Sequence, residues 1–292
     1  MKTPPHPSTD HPFGDEGMLA PALHPESVGP LVDLDTRSTP GYSGDKSDGT
    51  RFLTERGDKL STLQEMLYAN GRTGDPRSVL LVLQGMDTSG KGGIVKHVLG
   101  MVDPQGVSHS VFGPPTDEEL EHDFLWRIRK KLPAAGQLGV FDRSHYEDVL
   151  VVRVHELVEQ EEWERRYDAI NEFEEEVVAG GTAVVKVVLA ISHDEQRSRL
   201  AKRLNRPDKY WKYSPDDITE RRFWHSYQEA YQAVLDRTST PHAPWHVVPA
   251  DRKWFARLAV TELLIETLDR LELTWPAPDF DVEEQKLRLA ES

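Results

Sequence analysis

Cysteine is absent from the 292-residue chain, which excludes a disulfide framework and any cysteine-ligated metal centre and fits a reducing compartment. No stretch reaches the roughly 18 apolar residues that a membrane span needs. Residues 1–14 are rich in Pro and His and lack the apolar stretch of a secretory signal. These absences lead to the expectation of a cytoplasmic protein without a membrane partner. Positive charge is scarce: 35 Lys and Arg stand against 50 Asp and Glu, a formal net charge of −15. A general nucleic-acid coat needs a basic surface, so nucleic acid is not expected as a partner. The same deficit makes any local cluster of cations informative. Hydrophobic residues make up 37%, enough for a core of ordinary size, and the length allows one large domain or two small ones.

Residues 1–50 carry many Pro, Gly, Ser, Thr and Asp without periodicity and read as a flexible N-terminal arm. A helix is expected over 53–69, with Leu60, Leu63, Met66 and Leu67 on one face, stopped by Asn70-Gly71. Short apolar runs predict strands over 78–84, 107–112, 138–142, 183–191 and 245–249. Helical patterns fall over 92–101, 117–131, 159–178, 194–204, 215–235 and 254–271. Strands alternating with helices predict an α/β fold, a parallel five-stranded sheet covered on both faces. The domain is expected over 51–276, with a lid over about 194–236 and a C-terminal tail over 277–292 that opens near Pro276 and Pro278.

Between the first strand and its helix lies Gly85-Met86-Asp87-Thr88-Ser89-Gly90-Lys91-Gly92. Its spacing is the Walker A pattern. Glycines let backbone N–H groups turn toward phosphate oxygens, the next helix points its positive end there, and Lys91 reaches the terminal phosphates. The usual Ser or Thr after the lysine is replaced by Gly92, followed by Gly93. A metal must then take oxygen elsewhere, and Asp87 inside the loop is the candidate. Asp142 ends a buried strand, as a Walker B aspartate does, and faces the same end of a parallel sheet. Two carboxylates there imply Mg²⁺, with Mn²⁺ as a substitute. Arg143 follows and can contact phosphate. His145 invites the role of a base, but a packed or solvated histidine is the simpler reading, because phosphoryl transfer needs positioning and charge more than a base.

Over 197–212 stand seven cations, Arg197, Arg199, Lys202, Arg203, Arg206, Lys209 and Lys212, with one acid, Asp208. In a chain of net −15 this calls for a polyanionic partner. In nucleotide kinases the helical lid sits here, after the fourth strand. Trp224, Tyr227 and Tyr231, spaced by three and four, read as the buried face of a lid helix rather than as base-stacking residues.

Gln84 to Gly93, Gly139 to Glu147 (Gly-Val-Phe-Asp-Arg-Ser-His-Tyr-Glu) and Lys209 to Asp217 (Lys-Tyr-Trp-Lys-Tyr-Ser-Pro-Asp-Asp) together resemble the Walker A, Walker B and lid motifs of the second family of polyphosphate kinases. The resemblance runs from about Leu63 to Trp275 and takes in Asp-Pro-Gln-Gly (103–106), Phe-Leu-Trp-Arg (124–127) and Pro-Ala-Asp-Arg-Lys-Trp (249–254). It implies a three-layer P-loop kinase fold like thymidylate kinase with a helical lid, and a metal held at Asp87 and Asp142. It implies a channel for inorganic polyphosphate in which Lys91, Lys96, Arg127, Arg143, Arg203, Lys209 and Lys212 match basic family positions. An adenine or guanine nucleotide would enter from the opposite side, with Tyr146 and Glu147 as candidates there, and a dimer or tetramer is the family's habit. The Phe-Leu-Trp-Arg segment and Tyr146-Glu147 look like the branch acting on both AMP and ADP, whereas Asp142 and Gly92 look like the diphosphate branch. Two alternatives stay open from the residues alone: an ATP-dependent kinase on this scaffold, and a non-catalytic P-loop binder.

Overall fold

The computed structural model describes Phe13 and residues 18–292. Five strands, β1 (Ser78–Gln84), β2 (Val107–Val111), β3 (Leu138–Asp142), β4 (Thr182–Ala190) and β5 (Trp245–Pro249), form one sheet in the order β2-β3-β1-β4-β5, with every pairing parallel. β1 is central because both its faces are apolar: all seven of its residues are buried. A strand buried on both faces needs a helical layer on each side. One layer holds α1 (Lys46–Arg72), α2 (Lys91–His97) and α6 (Lys253–Arg270), packed on Val79, Leu81 and Leu83. The other holds α3 (Gln160–Ala179) and α5 (Trp224–Thr238), packed on Leu80 and Val82. Between β4 and α5 lies the segment expected as a lid, which begins with α4 (His193–Leu204), whose N-cap Ser192 side chain accepts from Glu195 N–H. No helix among the described residues is long and apolar enough to cross a membrane.

The alternating α/β reading and the five strands are borne out. Three local expectations are corrected. The helix over 117–131 is two short pieces, Asp117–Leu120 with a Thr116/Glu119 capping box, and Trp126–Arg129. The chain restarts at Asp123, whose carboxylate accepts from Leu125 N–H (3.0 Å) and whose carbonyl accepts from Trp126 N–H (3.0 Å). The helix over 215–235 breaks likewise at a 3₁₀ turn, Arg221–Phe223. The 277–292 tail contains α7 (Val282–Ala290), capped by Asp281, which buries none of its residues.

The flexible arm over 1–50 is the largest difference. From residue 18 onward it is a strap bound to the domain. Leu19 and Leu23 are fully buried. The N–H groups of Leu19 and Ala20 donate to the Glu266 carboxylate, Leu31 N–H to Gln232 Oε1 (2.9 Å), and Thr36 Oγ1 to Asp251 Oδ2 (2.9 Å). These anchors lie some 200 residues away in sequence, so no local pattern announces them. Residues 1–12 and 14–17 of the expected arm lie outside the described residues.

One charged side chain is fully buried within the sheet. Lys186 of β4 is fully buried and donates to Glu174 Oε2 (2.5 Å), Tyr146 Oη (2.9 Å) and Thr238 O (2.6 Å). Glu174 also takes His145 Nε2 (3.1 Å) and Tyr146 Oη–H (2.8 Å). Burial opposes the charge on Glu174, but Lys186 and His145 outweigh it and hold the carboxyl below its usual range.

Candidate active site

In the sheet register Asp142 stands beside Leu83, two residues before Gly85, so β3 delivers its terminal carboxylate next to the phosphate loop. The loop needs glycine where its backbone turns left-handed: Gly85 has φ +145° and Gly90 has φ +124°. A Cβ on Gly85 would lie 2.7 Å from Leu189 O and from Ser89 Oγ. Gly85 N–H is held by Tyr231 Oη (3.2 Å), and Tyr231 and Tyr227 are buried, so the aromatic stripe of α5 does face inward as expected. Arg143 also adopts a left-handed φ, +65°, with its N–H on Leu83 O (3.1 Å). Such a conformation costs about 1 kcal/mol for a non-glycine residue. It directs the guanidinium to Asp87 Oδ1 (3.0 Å). Lys91 Nζ donates to Gly85 O (2.5 Å). Burial pushes the Lys91 ammonium down, with the Asp87 carboxylate opposing that push.

Above the loop lies a cavity of about 770 Å³. It gathers Asp87, Gly90, Lys91, Gly92, Gly93, Lys96, Asp142, Arg143, Arg203, Lys209 and Lys212, eleven of the positions singled out from sequence. Gly85 forms the loop's base and lines a smaller neighbouring cavity. The large cavity also takes in Lys202, Arg206, Lys253 and Arg257, so eleven Lys or Arg face two carboxylates. Lys253 and Arg257 escaped the sequence reading because they fall outside the basic segment. Their signals were the i, i+4 spacing on α6 and, for Lys253, its place in the 249–254 motif.

Two expected contacts are not the ones the structure makes. Arg127 does not line the cavity: it donates to Gly113 O (2.9 Å), pairs with Glu119 (3.3 Å) and lies over the Phe112 ring. It therefore sits behind the Phe112 and Gly113 wall of the large cavity. Tyr146 is fully buried, its hydroxyl spent on Glu174 and Lys186, so it belongs to the core under the β3 segment. His145 is buried with it and is a packed histidine, not a base at the cavity. Glu147 stays near the site: burial raises its carboxyl, while Arg143 and Lys91 oppose that rise. Asp148 is pushed up to about 6 by burial despite Arg166 at 2.7 Å. Asp217, the last residue of the lid motif read from sequence, accepts from Arg203 Nη1 (3.3 Å) and Ser214 N–H (3.2 Å). Burial raises its carboxyl, the Ser214 N–H opposes that rise, and the Asp87 charge adds to it.

Asp87 and Asp142 offer hard oxygen ligands beside a phosphate cradle. Arg143 occupies Oδ1 of Asp87 only, and the Asp142 carboxylate has no ion-pair partner among the described residues. Among those residues no group of three or more His, Cys, Asp or Glu could hold a metal. Two carboxylates completed by water and phosphate oxygens suit a hard divalent cation that retains much of its hydration.

The profile of the family Polyphosphate kinase 2 (PPK2) matches residues 43–274. The AMP/ADP-polyphosphate phosphotransferase of Meiothermus ruber is 44% identical over 257 residues, 88% of this chain and 95% of the relative. The ADP-polyphosphate phosphotransferase of Rhodopseudomonas palustris is 41% identical over 263 residues, 85% of this chain and 89% of the relative. The crystal structure of polyphosphate kinase 2 from Arthrobacter aurescens TC1 is similar with a TM-score of 0.90 at 53% identity, covering 92% of this chain and 95% of that one. With motifs, sheet order and cavity in agreement, the chain belongs to the polyphosphate kinase 2 family.

Proposed function

We propose that this protein moves the terminal phosphate of inorganic polyphosphate to a nucleoside mono- or diphosphate, AMP or ADP and also GDP, and that the reaction is reversible. The carrying observation is the charge of the cavity: eleven Lys or Arg against two Asp, in a chain of net −15. A nucleotide triphosphate occupies only a few such cations. A cation row running from the loop through Lys202, Arg206, Lys209 and Lys212 fits a long polyanion.

The acceptor approaches on the side of Arg143 away from the lid, toward Glu147, Asp148 and Arg127. Its terminal phosphate oxygen attacks the end phosphorus of polyphosphate in line. The P–O bond to the penultimate phosphate breaks, and the chain leaves one unit shorter with the bridging oxygen's electron pair. Lys91 and Arg143 stabilise the charge that spreads over the transferred group. Lys209, Lys212 and Arg203 hold the donor, and closure of the lid keeps water from the phosphoryl group. Mg²⁺, or Mn²⁺ in its place, would be held by Asp87 and Asp142 and supplies charge neutralisation at the phosphoryl oxygens.

The test is incubation with long-chain polyphosphate, Mg²⁺ and either AMP or ADP, without ATP, followed by separation of the nucleotides. ATP formed from ADP supports the proposal, and ADP formed from AMP adds the monophosphate acceptor. No transfer from polyphosphate, with ATP phosphorylating the same acceptors, would replace it by an ATP-dependent kinase.

A further inference from the structure

The basic segment contains one cation with no donor left for a substrate. Arg199 of α4 lines the cavity, yet its side chain is almost fully buried. A guanidinium has five N–H donors, and protein oxygens take all five. Nε donates to Glu195 Oε1 (2.7 Å). Nη1 donates to Thr88 O (2.9 Å) and Ser89 O (2.7 Å). Nη2 donates to Ala250 O (2.5 Å) and Asp251 O (3.3 Å). Three residues earlier on the same helix face, buried Gln196 donates from Nε2 to Asp87 O (3.1 Å) and accepts from Arg221 Nη1 (2.7 Å). Two side chains of α4 therefore hold three successive carbonyls of the phosphate loop, those of Asp87, Thr88 and Ser89.

We infer that Gln196 and Arg199 are positioning residues: they draw the loop carbonyls toward the lid root, so that the loop N–H groups and the Asp87 carboxylate are left facing the phosphate. The same α4 carries Lys202 and Arg203, one turn further, into the cavity. The lid thus has a root fixed to the loop, and its first helix cannot swing independently of it. Asp251 strengthens the root by accepting from Ser192 N–H (2.9 Å), Ser192 Oγ–H (2.9 Å) and Thr36 Oγ1–H (2.9 Å). This assignment deepens the proposed phosphoryl transfer and rests on it for its kinetic test.

Arg199→Lys keeps the positive charge but cannot reproduce the planar five-donor fork. A loop held about 1 Å out of place loses on the order of 100-fold in turnover, so kcat is expected to fall at least ~10-fold. The KM for polyphosphate is expected to stay within about twofold, because no Arg199 donor is free for phosphate. Hydrogen exchange of the 85–93 amides, measured on the same proteins without substrate, is expected to accelerate in R199K. Lys209→Ala serves as the contrast, with KM raised and exchange in the loop unchanged. An R199K kcat within twofold of the parent overturns the assignment. So does a polyphosphate KM more than about fivefold higher, which would make Arg199 a phosphate ligand, and so does unchanged loop exchange. If R199K does not fold, Gln196→Leu, which releases the Asp87 carbonyl and Arg221 Nη1 but leaves the Thr88 and Ser89 carbonyls held, is judged by the same three readouts. A parent without polyphosphate turnover sinks the proposed function alone, and the exchange measurement still decides the clamp.

Discussion

Salt dependence offers a quantitative test of the cavity. Five of its cations, Arg143, Arg199, Arg203, Arg206 and Lys209, pair with protein carboxylates, and Lys91 holds Gly85 O. Lys96, Lys202, Lys212, Lys253 and Arg257 have no ion-pair partner among the described residues and are available to phosphate. Each phosphate neutralised on a single-stranded polyanion contributes about 0.7 to the slope of log affinity against log salt, so the five unpaired cations alone contribute a slope of about −3.5, the ion-paired cations exchanging a protein carboxylate for phosphate with little net release of counterions. Between about 50 mM and about 200 mM salt, polyphosphate affinity then falls roughly 100-fold. Replacing Lys253 and Arg257 together by Gln removes two contacts without disturbing the apolar side of α6. The slope flattens by about 1.4, and the same salt step costs only roughly 20-fold. Binding of end-labelled polyphosphate of fixed length, followed by anisotropy across a salt series, measures both slopes. A parent slope shallower than about −1.5, or a double variant with the parent's slope, would refute the idea that these cations carry the polyanion.

The buried ion pair predicts a stability effect: Lys186→Met leaves Glu174 charged in the core and costs about 3–5 kcal/mol by urea unfolding, and adding Glu174→Gln recovers part of that loss. His246 is held down to about 4, first by burial, with its Nδ1 near Lys186 O. Its neutral form is favoured in the fold, so the stability it contributes is complete above about pH 6.5 and is lost as pH falls toward about 4, by about 3 kcal/mol in all. His246→Asn should flatten that part of the stability–pH curve, and a curve of unchanged shape would exclude His246 as its source. Chelation is expected to stop turnover and Mg²⁺ or Mn²⁺ to restore it, while Asp87→Asn raises the half-saturating Mg²⁺ by about tenfold or more. An unaltered Mg²⁺ requirement in that variant would remove Asp87 from the metal site.

Much of this was legible in the sequence for a simple reason. β1, β3 and β5 are short runs in which most residues are apolar and nearly all are buried, so burial alone writes them into the chain. The loop and Asp142 were legible because their chemistry constrains both residue type and spacing. What stayed hidden depends on partners distant in sequence. Leu19 and Ala20 look like parts of a disordered stretch until Glu266 is brought to their N–H groups. Lys186 looks like a flaw in a strand until Glu174 reaches it from across the layer. Arg199 looked like one phosphate ligand among seven, because composition counts charges and not the carbonyls that occupy them. Tyr146 misled for the opposite reason: it stands next to the site in the chain, but its side chain leaves toward the core.

The strap has a consequence for solubility. A parallel sheet ends in two rims of unpaired backbone, and an uncovered rim is a template for pairing with another molecule. Helical turns at Ala20–Leu23 and Pro25–Val28 lie against β5, whose five residues are all buried. The N-terminal segment therefore shields one rim. The other rim, β2, is five residues long and carries exposed His109 and Val111. A chain shortened to begin at Lys46 would keep the phosphate loop, the cation row and both aspartates. Besides the Thr36 bond to Asp251, what it would lose is the cover of β5, and it would self-associate along that rim.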